Sequence, residues 1–419
     1  MVSLQKTIDA IARKARASSR LLNDTSQDKI DNCLRAIAKL LDTRKETVAK
    51  ANQQDVALAR KKNLSGPMIE RLTLTDTAFD AMKKGLNVVA GLSTPVDSVF
   101  DERVPPNGLT IYKMRVPIGV IAIIYESRPN VTIDAASLCL KSRNSVILRG
   151  GSEAFFSNRA LASLIATACR SSGLPGDAVQ LVPTTDRKAI DFLLTKENDI
   201  DLVIPRGGEG LIRAVVEKSR IPVIKHYKGV CHVYVSRFAD MAKAVPIVVN
   251  AKVQRPGVCN AMETLLLDKS LGDANKVKIL AALVDKGVIL YGDPAVRKLV
   301  SGARRATRED WLAEYLDLRL AVRVVDGVSE AIAHINTYGS HHTDSIVTDS
   351  KEEADLFVRL VDSSSVMVNA STRFSDGGEY GMGAEIGIST DKLHARGPMG
   401  IADLTTYKWV VKGNGQIRT

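Results

Sequence analysis

The chain has 419 residues, 45% apolar and 25% charged, which is ordinary for a soluble globular protein with a large core in about two or three domains. Its net charge is +11, yet 20 Lys and Arg against 13 Asp and Glu fall within residues 1–115, where they are spaced as solvated helix faces with no aromatic ladder. This argues against nucleic acid as a partner and leaves steering of phosphorylated substrates as a secondary effect. The longest apolar run, residues 116–125, is interrupted by Pro117 and Gly119 and is far too short to span a bilayer, so no membrane association is expected.

The N-terminal stretch is basic, amphipathic and serine-containing, as transit peptides are, but its apolar spacing runs on into further helical segments, and an ordinary first helix is expected. Residues 26–41 keep helical spacing through Ile30, Cys33, Leu34, Ile37, Leu40 and Leu41 behind Ser26 as N-cap. Phe79, Met82, Leu86 and Val89 repeat the pattern after Thr75. Residues 101–115 change character. Pro106-Asn107-Gly108 predicts a turn, and LTIYKMR alternates as a two-faced strand that must pair with something, often another subunit.

From Val116 the apolar runs GVIAIIY, SVILR, AVQLV, DLVI and IPVIK alternate with helices predicted at about 131–142, 152–171, 186–194 and 208–219. Short, non-alternating apolar runs spaced by helices predict a parallel sheet covered on both faces. Their carboxyl ends carry Glu126-Ser127-Arg128-Pro129-Asn130, Arg149-Gly150-Gly151-Ser152 and Arg206-Gly207-Gly208-Glu209-Gly210. Ligands of open α/β sheets collect at such ends, and glycines before a helix N-terminus suit a phosphate. Neither glycine cluster matches a dinucleotide or P-loop fingerprint, so each alone is also consistent with simple turn chemistry. A second strand–helix series begins at CHVYV and runs through TLLLD, GVIL, AVRVV and SIVT to SVMVN; a polar, glycine-rich tract follows, and LTTYKWVVK reads as a final strand.

The five cysteines are scattered, with no C-x-x-C pair, which points to a reducing, cytoplasmic setting and against both disulfides and a zinc cage. Cys139, Cys169 and Cys231 occupy apolar positions and read as core. Cys259 is different. It lies in AKVQRPGVCNA, between a helix and the TLLLD strand, where Pro256-Gly257 predicts a sharp turn and Arg255 is close in sequence. A cation beside a thiol favours the nucleophilic thiolate, although most cysteines are small buried hydrophobes. His341-His342 invites a metal reading, but adjacent side chains point apart and no Cys, Asp or Glu is spaced with them, so no metal site is expected.

The words YKMRVPIGVIAIIYESRPN, SVILRGGSEA, VIPRGGEGLI, HYKGVCHVYV, QRPGVCNA, YGSHHTDSIVT, VNASTRFSDGGEYGMGAEIGIST and KLHARGPMG, in this order, resemble the aldehyde dehydrogenase superfamily from about residue 112 onward, and within it the branch that reduces an acyl phosphate. The resemblance implies an aldehyde dehydrogenase-like α/β fold: two parallel-sheet domains plus a small β oligomerisation flap. Residues 1–100 and 116–226 would form the cofactor domain, 227–369 the catalytic domain and 370–400 a return segment to the cleft. Residues 101–115 and 401–419 would form the flap. It implies NADPH-dependent reduction of L-glutamyl 5-phosphate to L-glutamate 5-semialdehyde, a small-molecule substrate, in a homo-oligomer (dimer or tetramer) whose upstream partner would be a glutamate kinase.

By the same resemblance Cys259 is the nucleophile and Asn130 helps hold the oxyanion. Arg149, Gly150, Ser152, Glu153, Arg206, Gly207, Gly208 and Glu314 fall to the cofactor NADP, with Glu314 lacking the family's following Phe-Gly-Pro. Arg255 is the expected phosphate ligand, Lys225, His226 and Arg373 are expected at the substrate, and Arg149 with Lys141 is expected to accept a 2′-phosphate. Aldehyde-oxidising relatives carry a water-activating glutamate where this chain has Lys225-His226-Tyr227-Lys228-Gly229, with no carboxylate. An enzyme that must hand its thioester to hydride gains by lacking that base. The competing readings are a coenzyme A-acylating enzyme on the same fold and a non-catalytic binding protein that kept it.

Overall fold

A computed structural model describes residues 3–126 and 128–418. Ser127, within the predicted turn tract at the end of the first parallel strand, lies outside the described residues, as do Met1, Val2 and Thr419. The chain divides into two compact units. The first is Met1–Lys225 with Gly381–Gly387 and Met399–Thr419; the second is His226–Tyr380 with Ile388–Pro398.

In the first unit the amphipathic segments fold as helices Leu4–Asn23, Gln27–Thr43, Lys45–Lys61, Gly66–Leu72 and Asp76–Gly91. Their apolar stripes face inward: Ile30, Cys33, Leu34, Ile37 and Leu41 are buried on the second helix, and Phe79, Met82, Leu86 and Val89 on the fifth. Ser3 and Thr75 cap their helices by accepting from the N–H groups of Lys6 and Ala78. Ser26 stands at the predicted N-cap position without a side-chain hydrogen bond.

The strands, in chain order, are β1 (Val99–Arg103), β2 (Thr110–Pro117), β3 (Val120–Tyr125), β4 (Ser145–Arg149), β5 (Val179–Leu181) and β6 (Leu202–Arg206). In the second unit they are β7 (Cys231–Val235), β8 (Met262–Asp268), β9 (Ile289–Gly292), β10 (Arg304–Arg305), β11 (Arg319–Val325), β12 (Thr343–Val347) and β13 (Ser365–Val368), and β14 (Gly387–Ser389), β15 (Gly397–Met399) and β16 (Thr405–Lys412) follow. Strands β5-β4-β3-β6 form a parallel sheet whose central members are buried along their whole length, as uninterrupted apolar runs require. The predicted strand IPVIK is reduced to a single bridge between Val203 and Val223. Pro222 has no N–H to give to a ladder, and only its carbonyl is used, by Val203.

The two-faced strand finds its partners in its own chain: β2 pairs antiparallel with β1 on one side and with β16 on the other. Lys113 of β2 lies over the rings of Tyr407 and Trp409 of β16, each 4.8 Å from the ring centre.

The second unit is built on a parallel sheet in the order β10-β9-β11-β8-β7-β12-β13. Val233, Val235, Leu265, Leu267 and Val322 pack under Val248 and Ile279 of the helices Met241–Val253 and Asp273–Val284. Two-residue β10 is too short to leave a periodic signal in the sequence.

Candidate active site

The second sheet makes the site. Strands β8, β7 and β12 are neighbours, and because all three are parallel their amino ends lie along one edge. His226 lies shortly before β7, Cys259 before β8 and His342 immediately before β12. A spacing of about 4.8 Å between adjacent strands brings three segments distant in sequence together. One ligand-capable atom from each of His226, Cys259 and His342 lies within 4.8 Å of the others. The two imidazoles meet edge to face with centres 5.6 Å apart. The group sits at the amino ends of the strands, opposite to where ligands of open sheets usually collect.

The thiol loop is pinned from several sides. Cys231 Sγ donates to the carbonyl of Cys259 at 3.2 Å, Asn260 Nδ2 donates to Ser375 O at 2.9 Å, and the N–H of Ala261 closes a turn on Val258 O at 3.1 Å. Gly229 is required here: a Cβ at that position would stand 1.8 Å from the Cys259 carbonyl oxygen. The N–H of Gly229 donates to Glu314 Oε1 at 2.8 Å, so Glu314 supports the segment leading into β7, against which the thiol loop rests. The β7–β8 ladder slips at this point, pairing Cys231 with Met262 and His232 with Thr264, so that Glu263 is an extra residue. Bulges of this kind re-aim side chains beside functional sites. The Glu263 carboxylate accepts from Lys252 Nζ at 2.5 Å and from the N–H of Leu316 at 3.1 Å, and both charged side chains are fully buried. Burial pushes the Glu263 carboxyl up to about 7 and the Lys252 ammonium down.

Two guanidinium groups belong to the same neighbourhood. Arg255 is exposed in the thiol loop. Arg373 is half-buried and donates from Nε to Gln254 Oε1 at 2.8 Å. Burial, then the like charge of Arg255, lowers the pKa of Arg373, while Cys259 acts in the opposite sense. His226 sets its Nδ1 against the carbonyl of Ile388 at 2.8 Å. A carbonyl only accepts, so Nδ1 carries the proton and Nε2 is left as an acceptor. His341 and His342 do point apart: Nδ1 of His341 meets Asp362 O at 2.5 Å, and His342 is buried with Nδ1 2.9 Å from Thr343 Oγ1.

The remaining sequence-derived positions lie in the first unit. Asn130 opens the helix Asn130–Lys141 and donates from Nδ2 to Asp134 Oδ2 at 2.9 Å. Burial lifts Asp134 to about 6. Arg149 ends β4 and is buried, donating to the carbonyls of Gly150 at 2.9 Å and Thr185 at 3.1 Å. A side chain at Gly150 would collide with Asn158, and one at Gly207 with Glu126. Arg206 packs against Gly387, where a Cβ would be 2.2 Å from its Nη1. The N–H of Gly208 donates to Glu126 Oε2 at 3.1 Å at the head of helix Glu209–Lys218. Ser152 Oγ donates to Glu153 Oε1 at 3.0 Å, beside a cavity of about 50 Å³ lined also by Asp55, Leu58 and Lys62. Lys225 is the last residue of this unit's first segment. Lys141 does not serve a 2′-phosphate. Its ammonium is fully buried and donates to Asp31 Oδ1 at 2.6 Å and to Ala90 O at 2.9 Å, tying its own helix to two others.

Sequence reasoning missed His342, Gly229 and the Lys252–Glu263 pair. Only the strand order brings them to Cys259, and nothing in local spacing encodes that order.

The sequence pattern of the aldehyde dehydrogenase family matches residues 2–310. A gamma-glutamyl phosphate reductase of Desulfatibacillum aliphaticivorans is 53% identical over 418 residues, covering 100% of both chains. One of Geobacter metallireducens is 53% identical over 413 residues, covering 99% of this chain and 98% of the relative. The crystal structure of gamma-glutamyl phosphate reductase from Thermotoga maritima superposes with a TM-score of 0.96 at 43% identity, covering 98% of this chain and 100% of that one.

Proposed function

The chain belongs to the gamma-glutamyl phosphate reductases of the aldehyde dehydrogenase family, and on that premise we propose that it reduces L-glutamyl 5-phosphate to L-glutamate 5-semialdehyde through a thioester on Cys259, with NADPH as reductant and phosphate as leaving group. The observation that carries the chemistry is the composition of the thiol's surroundings. Among the described residues, one imidazole nitrogen each from His226 and His342 lies within 4.8 Å of the Cys259 sulfur and of the other.

The thiol gives its proton to an imidazole, and Nε2 of His226 is the acceptor whose tautomer the Ile388 carbonyl supports. Thiolate attack on the acyl carbon makes an oxyanion, for which the N–H of Cys259 and the amide of Asn130 are the proposed donors. Asn130 spends one N–H on Asp134 and retains a second for that purpose. Phosphate is already a good leaving group and needs charge more than a proton. Arg255 and Arg373 supply it, a guanidinium matching phosphate oxygens in pairs. Residues 225–229 offer no carboxylate to activate water, which favours reduction of the thioester over its hydrolysis.

Aldehyde dehydrogenases work with a nicotinamide cofactor, and when bound it supplies the hydride. The βα turns of the first unit fit such a group. Gly208 heads a ten-residue helix, faces open space, and already offers its N–H to an anion, the Glu126 carboxylate. Gly150, Ser152, Glu153, Arg206 and Gly207 are the companion residues proposed for it, and Glu314 is proposed for its ribose. With Lys141 fully buried against Asp31, the proposed preference for NADPH over NADH rests on Arg149, whose guanidinium would have to exchange its bonds to the Gly150 and Thr185 carbonyls for a 2′-phosphate. We propose further that the β1-β2-β16 sheet, whose Phe100, Tyr407 and Trp409 are exposed, joins copies of the chain into a homo-oligomer. Among the described residues no helix is long and apolar enough to cross a membrane.

The test runs the reaction backwards. Oxidation of L-glutamate 5-semialdehyde with NADP⁺ should require phosphate or arsenate and should vanish in Cys259→Ser. Turnover that needs coenzyme A instead of phosphate would overturn the proposal in favour of an acyl-CoA reductase, and substantial turnover by the serine variant would remove Cys259 from the chemistry.

A further inference from the structure

We propose that Cys259, His226 and His342 form a reversible zinc(II) site that blocks the nucleophile when occupied. This rests on reading Cys259 as the reactive thiol, and it adds a regulatory or inhibitory ligand to that site. One sulfur and two imidazole nitrogens are a donor set suited to a borderline-soft divalent cation. In a tetrahedral zinc site with these donors, ligand atoms stand about 3.3–3.6 Å apart. The three donors here already lie within 4.8 Å of one another, so side-chain movements of about 1 Å bring them to ligand spacing.

The supporting contacts are those of a metal-bound histidine. Nδ1 of His226 is held by the Ile388 carbonyl at 2.8 Å, which leaves Nε2 as the nitrogen with a lone pair for a metal, as outer-shell carbonyls do behind zinc ligands. His342 is fully buried, its Nδ1 2.9 Å from Thr343 Oγ1, and His341 takes no part. The three residues come from segments preceding adjacent strands of one sheet, which limits how far they can separate. Binding forms a Zn–S bond and releases the thiol proton to solvent, with no change of oxidation state. Three protein ligands leave a fourth position for water or a phosphate oxygen. Arg255 and Arg373 oppose a cation nearby, which sets the affinity of the site below that of a structural zinc cage and makes it reversible. The sequence argued against a metal because no Cys, Asp or Glu is spaced with His341-His342; the partners come from strand adjacency instead.

The test uses the whole protein without substrate. Alkylation of Cys259 by iodoacetamide is followed by peptide mass spectrometry with and without zinc chloride, and cobalt(II) is titrated in parallel for a thiolate-to-cobalt charge-transfer band. We expect zinc to slow alkylation at least about tenfold, chelator to restore it, and His226→Ala and His342→Asn each to weaken the effect by about 10–100-fold, the range for disrupted metal shells. His342 is buried, so its variant is checked by thermal melting, and half-buried His226→Ala carries the test alone if the other does not fold. Unprotected alkylation in the presence of zinc, or protection of equal strength in His226→Ala, would overturn the site. Protection by zinc in a protein with no phosphate-dependent turnover would instead sink the proposed function and leave the zinc site standing.

Discussion

Replacing Gly229 by alanine tests whether the thiol loop must sit where it does. The new Cβ would lie 1.8 Å from the carbonyl oxygen of Cys259, 2.5 Å from its carbonyl carbon and 2.8 Å from its Cα. All three are backbone atoms, so no flexible side chain can yield. Contacts between real atoms of this kind do not fall below 3.0 Å, and the loop or β7 must retreat by about 1 Å or more. That movement also strains the Cys231 Sγ contact to the same carbonyl and the Gly229 N–H bond to Glu314. Overpacking costs about 1–3 kcal/mol in stability, while misplacing a reacting atom by about 1 Å costs on the order of 10²-fold in rate. The expected result is a folded protein with a urea midpoint modestly lowered, kcat/KM for phosphate-dependent semialdehyde oxidation down about a hundredfold, and an altered alkylation rate at Cys259. Gly85→Ala is the control. It lies inside a helix with nothing within 4 Å of its Cβ position and should be neutral or stabilising by about 0.5–1 kcal/mol. A Gly229→Ala enzyme with unchanged kcat/KM and alkylation rate would refute the idea that this contact positions the nucleophile.

Lys252→Met should destabilise by about 3–5 kcal/mol in urea melts, because it strands the buried Glu263 carboxylate, and adding Glu263→Leu should recover most of the loss; a single variant as stable as the parent contradicts the pairing. His334 is buried, and desolvation, then His232 and Arg323, hold its imidazolium far down, at about 2. Its folded pKa lies below the unfolded one, so its contribution is present above about pH 6.5 and is lost as pH falls toward 2, costing about 1.4 kcal/mol by pH 5.5. His334→Phe should flatten that part of the acid limb in thermal melts, and an unchanged limb would count against it. Arg373→Ala should raise KM for semialdehyde or phosphate by about tenfold or more with little change in melting temperature, the signature of a lost charged contact; an unchanged KM for both would place Arg373 outside the substrate site.

The helices and strands were legible because burial imposes periods that sequence displays. Residues 120–125 are apolar without alternation and are buried at every position, and residues 26–41 turn their apolar stripe inward. The turn chemistry of Pro256-Gly257 marked the Cys259 loop for the same local reason. Where local patterns misled, a backbone or charge requirement intervened: Pro222 leaves IPVIK without a donor for a ladder, and Lys141 is consumed by Asp31 from another helix.

At Cys259, sequence determined the loop of the proposed nucleophile, the missing carboxylate in Lys225–Gly229, and the glycine turns of the first unit. The tertiary structure decided what surrounds the thiol. Strand order is a matter of long-range pairing and leaves no trace in spacing, so only the β8-β7-β12 adjacency could bring His226 and His342 to Cys259. The bulge at Glu263 and the close approach at Gly229 likewise arise from how two strands meet, which is why a buried ion pair and an obligatory glycine beside the thiol appeared only once the sheet was assembled.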